Sequence, residues 1–210
     1  MPGLDAAGIL SVWERGSGQP LGERAVTLLE LAALGASDAS ALPVGTRDAL
    51  LLRIRRRLFG DRIEGVTACN TCGEELDLTL SVAQLLSQMP PADPSVGVPT
   101  AGDLAAIASA GSVEAGVAFL TERLGLQGED ALAVADPGAE IQLVSACPSC
   151  GARDEAFFDP PSFLAKELQA LAHDMLWDVH ALARAYGWDE PTILALTPSR
   201  RRFYLDATQR

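Results

Sequence analysis

Four cysteines carry the most specific chemistry in this 210-residue chain, and they fall into two matching turns. Cys69 and Cys72 flank Asn70 and Thr71 in GVTACNTCGEELDLTL, and Cys147 and Cys150 flank Pro148 and Ser149 in LVSACPSCGARDEAFF. A CxxC turn aims two sulfurs at one point. The glycine after each pair, Gly73 or Gly151, can take the positive φ that faces backbone amides toward thiolates. Two such turns complete a tetrahedral site, so the spacing predicts one structural zinc ion per chain, held by Cys69, Cys72, Cys147 and Cys150. A closed four-thiolate site leaves no coordination position for water and therefore joins segments without activating a nucleophile. A thioredoxin-type CxxC opens a helix after a strand, whereas these turns lie between strands. An iron–sulfur cluster would use the same ligands, but the ribbon-like flanks favour zinc.

Little else in the sequence assembles into catalytic machinery. His173 and His180 stand seven residues apart on one predicted helix, without an HExxH motif or a nucleophile elbow, and are expected to be structural. GSGQPLG near residue 16 lacks the preceding strand and the lysine of a phosphate-binding loop. No enzymatic activity and no small-molecule substrate are expected. A formal net charge of −12 opposes nucleic-acid binding, which needs a concentrated positive surface. The local exception is LLRIRRRLFG, where Arg53, Arg55, Arg56 and Arg57 read as a solvated or salt-bridged helix face. The absence of a secretory pattern and of a long apolar run predicts a cytoplasmic chain with reduced thiols and no membrane partner.

The elements that must position the cysteines show as changes of period. RIEGVTA and ELDLTLS flank the first turn as strands, with Leu76, Leu78 and Leu80 alternating with polar residues, and AEIQLVSA and RDEAFFD flank the second. The fold class is therefore α+β: mostly helical, with two zinc-knuckle hairpins forming a zinc-ribbon-like element and a helical insertion between them. The expected organisation is an N-terminal helical segment at 1–60, the hairpins at 61–81 and 140–158, the insertion at 82–139 and a C-terminal helical segment at 159–210, together one compact unit. Predicted helices cover 4–15 and 22–35, and a third runs from about 47 to 59 with Thr46 as N-cap and Gly60 as stop. Asp159 or Ser162 is expected to cap a long helix ending at Gly187, and Asp189 and Thr197 open two short ones.

The C-terminal stretch HALARAYGWDEPTILALTPSRRRFYLD resembles the T4-type baseplate hub assembly protein family of contractile phage tails and contractile injection systems. The resemblance rests on His180, Tyr186, Gly187, Trp188, Ile193, Leu194, Arg201, Arg202 and Tyr204, and further on WERG, LPVGTRDALLLRIRRRLFG and the paired CxxC turns of a zinc-turn variant. It implies a non-enzymatic structural or chaperone-like role in building a baseplate, with baseplate or hub proteins as partners, in the cytoplasm or within an assembled particle. Aromatic and arginine residues dominate interface hot spots. Trp177, His180, Tyr186, Trp188, Arg200, Arg201, Arg202, Phe203 and Tyr204 are accordingly expected to form the partner-binding surface. The alternative is a zinc-ribbon adaptor associated with nucleic acid or the transcription apparatus.

Overall fold

The computed structural model describes residues 5–32, 38–93, 97–108, 111–125 and 134–208. The chain is α+β and mostly helical, with, among the described residues, two small antiparallel sheets of two strands each. Helices α1 (Ala6–Gly16), α2 (Leu21–Leu31) and α3 (Val44–Phe59) precede the first hairpin, β1 (Arg62–Ala68) and β2 (Glu75–Ser81). The insertion contributes α4 (Val82–Ser87), α5 (Ala101–Ala108) and α6 (Val113–Leu124). The second hairpin follows, β3 (Ile141–Ala146) and β4 (Arg153–Phe158), and the chain continues through α7 (Pro160–Tyr186), α8 (Glu190–Leu194) and α9 (Pro198–Thr208). Leu4 and positions 33–35 of the predicted first two helices lie outside the described residues.

Helix α3 is the spine because its apolar stripe faces two ways. Leu51 and Ile54 join Ile9, Val12, Leu28, Leu29, Leu164 and Leu168 in a core shared by α1, α2, α3 and α7. Leu52 turns instead toward Ile63, Val82, Leu85 and Ile141, which close the open ends of both hairpins. Each fully buried side chain of this kind contributes about 1.5–3 kcal/mol, so the hairpin bases are anchored by packing without any metal.

The third helix does not start where Thr46 would cap it. Its N-cap is Pro43, which offers no side-chain bond. The orphan amides at this helix start find partners in the insertion: Val44 N–H donates to the Pro99 carbonyl at 3.1 Å, and Gly45 N–H donates to Asp136 Oδ2 at 2.8 Å. A cap supplied 91 residues downstream has no local signature. Gly45 is required there, since a Cβ would lie 2.6 Å from the Gly138 carbonyl carbon. Gly60 does end the helix, at φ +89°. At the start of α7, Asp159 occupies the N-cap position without bonding a helix amide; its carboxylate accepts the Ser162 hydroxyl instead.

The arginine-rich stretch of α3 divides by helical phase. Arg53, Arg56 and Arg57 are exposed, and Arg56 pairs with Asp61 at 2.9 Å. Arg55 points inward, where Glu167 of α7 receives Nε at 3.0 Å and Nη2 at 2.8 Å, while Nη1 donates to the Gly60 and Arg62 carbonyls at 2.8 and 2.7 Å. Phe59 and Phe163 stand about its guanidinium, with ring centroids at 5.8 and 6.0 Å. This one side chain ties α3, α7 and the root of the first hairpin together, and each of its bonds is charge-assisted.

Candidate metal centre

The two CxxC turns are built alike. In the first, Cys69 N–H donates to the Glu74 carbonyl at 2.8 Å and Gly73 N–H to the Cys69 carbonyl at 2.9 Å. In the second, Cys147 N–H donates to Ala152 and Gly151 N–H to Cys147, both at 2.9 Å. Gly73 and Gly151 sit at φ +75° and +74°, a region other residues enter at a cost, which explains the glycine after each pair. The hairpin registers, Ala68 opposite Glu75 and Ala146 opposite Arg153, place each turn at the tip of its ladder.

Anchored at their bases, the hairpins bring their tips together. All four sulfurs lie within 4.8 Å of one another, and two of the cross-hairpin pairs, Cys69–Cys150 and Cys72–Cys147, are each 3.7 Å apart. Disulfide sulfurs would be about 2.05 Å apart. A tetrahedron with metal–sulfur bonds of about 2.3 Å has edges of about 3.8 Å, so the donor set fits a single four-coordinate ion. Cys69 and Cys147 are buried with Leu76 and Ala152 against them, while Cys72 and Cys150 face outward.

The thiols push one another in opposite directions. The Cys150 amide leads the groups that draw Cys147 down to about 7. The Glu74 amide also favours a thiolate at Cys72, but Cys150, desolvation, Cys147 and Cys69 outweigh it and push Cys72 up to about 12. One negative charge forms easily in this cluster and further ones resist, which is the electrostatic condition a bound cation relieves.

The two halves differ at one coupled pair of positions. Asp154, four residues past Cys150, accepts the Asn70 amide across the junction at 3.0 Å. Its counterpart four residues past Cys72 is Leu76, which is buried, and the counterpart of Asn70 is Pro148, which has no amide to satisfy. Sequence reading passed over Asp154; its signal was the polar residue standing where the first hairpin carries leucine.

The predicted partner residues scatter. Trp177 and Phe203 are 70% and 67% exposed, and His180, Arg200 and Arg202 also face outward. Tyr186, Trp188 and Tyr204 form an aromatic cluster among themselves: Tyr186 stacks on Trp188 at 4.8 Å, and Tyr204 meets Trp188 edge-on at 4.9 Å. Arg201, expected at the surface, is 6% exposed and folds under α9, with Nη1 3.9 Å from Asp178. Helical phase is the reason: Arg201 sits between two exposed neighbours on the one side of α9 that faces α7. His173 lies edge-on to Trp13 at 5.4 Å and His180 edge-on to Trp177 at 5.8 Å. Among the described residues no helix is long and apolar enough to cross a membrane.

No protein-family model, curated protein or solved structure matches this chain.

Proposed function

We propose that this chain is a non-enzymatic structural or assembly protein of the baseplate of a contractile, phage tail-like injection system, with its hairpins locked by one zinc ion. Zinc bound by Cys69, Cys72, Cys147 and Cys150 would supply cohesion between the hairpin tips. The observation that carries the reading is the closed sulfur tetrahedron: four donors from segments 75 residues or more apart, equal in number to the positions a tetrahedral ion offers. Such a centre suits a scaffold. The likeness of the C-terminal stretch to hub assembly proteins supplies the baseplate, and outward-facing Trp177, Phe203, Arg200 and Arg202 supply residue types that interfaces favour.

The test is co-purification with baseplate components from cells that make the particle. Because α9 carries Tyr204 and Arg201 into intramolecular contacts, point changes are better than truncation. Trp177→Ala with Phe203→Ala should leave thermal unfolding nearly unchanged and reduce co-purification about tenfold or more. Normal recovery of the particle by this variant contradicts the reading.

A further inference from the structure

Helices α7 and α9 enclose an open trough of about 650 Å3. Its apolar lining includes Leu171, Met175, Trp177 and Leu205, and Trp177 spends its ring on solvent. The acidic groups on the same trough are Asp174, Asp178 and Asp206. Asp174 and Asp178 are one helical turn apart, a like-charge spacing that works against the helix. Burial raises the Asp178 carboxyl; Arg201 opposes that and Asp174 adds to it. Among the described residues, neither Asp174 nor Asp206 has an ion-pair partner, although Arg202 also lines the trough. Arg201 Nη2 donates to the Leu194 and Leu196 carbonyls at 3.4 and 3.5 Å, and its buried Nε has no acceptor among the described residues, so it neutralises Asp178 only weakly from 3.9 Å.

We propose that this trough is a docking site for an amphipathic helix carrying basic residues, its apolar face covering Trp177, Met175 and Leu205 and its cations lying against Asp174, Asp178 and Asp206. Charge complementarity selects this occupant. A chain of net charge −12 has placed two carboxylates that are unpaired among the described residues, and a third weakly paired one, around an uncovered apolar floor, and a cationic helix removes both costs together. An acidic or neutral helix would cover the floor but leave the carboxylates repelling one another. The proposal names the partner chemistry of the surface described under the proposed function. Its test uses no baseplate component, so either can fail without the other.

The probe is a synthetic amphipathic helix of leucine and lysine, with the same peptide carrying glutamate for lysine as its counterpart, titrated into the full chain at physiological salt. The leucine–lysine peptide should bind with a blue shift of tryptophan emission that disappears in Trp177→Phe. Asp174→Asn with Asp206→Asn should weaken binding about fivefold or more, and Trp177→Ala about tenfold. Removing the same charge from α1 and α2, as Glu14→Gln with Glu30→Gln, should leave affinity within about twofold, the effect of one weak surface pair. Equal weakening by that control, equal binding of the glutamate peptide, or no binding of the lysine peptide each overturns the proposal.

Discussion

The hairpin tips and the C-terminal helices are both rich in residues capable of chemistry or recognition, yet one region concentrates them and the other disperses them. At the tips, cysteines from two distant segments converge within 4.8 Å, a donor set equal in number to the positions of one tetrahedral ion. In the stretch 177–204, neighbours in sequence diverge: Trp177 and Phe203 face solvent, Tyr186, Trp188 and Tyr204 pack on one another, and Arg201 goes inward. Spacing in a CxxC turn specifies geometry. Composition in a helix specifies only an inventory, and the phase of that helix against its neighbours decides which side chains remain available.

The largest effect should come from breaking the convergent region. Cys147→Ser, or removal of the ion by chelation, should raise hydrogen exchange through 62–81 as well as 141–158. Structural zinc sites in small modules carry about 10–16 kcal/mol of apparent binding free energy, and a shared ion spreads that loss over both hairpins. The core of α1, α2, α3 and α7 should keep its protection, since it is packed independently of the tips. Increased exchange confined to the second hairpin would mean that the turns do not share an ion.

A smaller loss should follow cutting the link between the two regions. Arg55→Ala leaves the partly buried Glu167 carboxylate without its two charged bonds, and breaking a buried pair in this way costs about 3–5 kcal/mol. Thermal unfolding should fall sharply while metal content stays unchanged. An unaltered midpoint would show that Leu52, Ile63 and Ile141 alone fasten the hairpins to the helices.

Smaller again is the pH dependence contributed by Asp48. Burial raises its carboxyl from 3.8 to about 6 against the opposing pull of Arg47, 2.7 Å away. The folded state therefore favours the protonated form: stability from this group is full below about pH 4 and is lost as pH rises through 6. The change amounts to on the order of 3 kcal/mol between pH 4 and pH 7, and Asp48→Asn should remove that slope from the stability profile. A stability difference between wild type and Asp48→Asn that stays constant from pH 4 to pH 7 would contradict it.

The smallest effect should separate the two halves of the metal region itself. Asp154→Ala strands the Asn70 amide and should cost about 1 kcal/mol, measured by chemical denaturation. Pairing it with Asn70→Pro removes the amide that needs a partner and copies the arrangement at Pro148. That second change should recover part of the loss; a further fall instead would show that the halves are not equivalent at this position.

The hairpins and the convergence of their cysteines were legible because strand alternation and the CxxCG spacing are local signals. Helix ends set by glycine or aspartate, such as Gly60 and Asp189, were legible for the same reason. What escaped depends on residues remote in sequence. The start of α3 is fixed by Asp136 and Pro99, and Arg55 is distinguished from Arg53, Arg56 and Arg57 only by the presence of Glu167 on a helix more than 100 residues later. Arg201 illustrates the same limit at the surface: three consecutive arginines look alike until a neighbouring helix selects one of them.

Metal content of the purified chain, read by elemental analysis and native mass spectrometry, tests the central claim most directly. One zinc per chain is expected, lost in Cys72→Ser and Cys150→Ser variants alike, because each takes one corner of the same tetrahedron. No zinc, two equivalents, or full retention when either cysteine is replaced would contradict a single ion shared by the two hairpins.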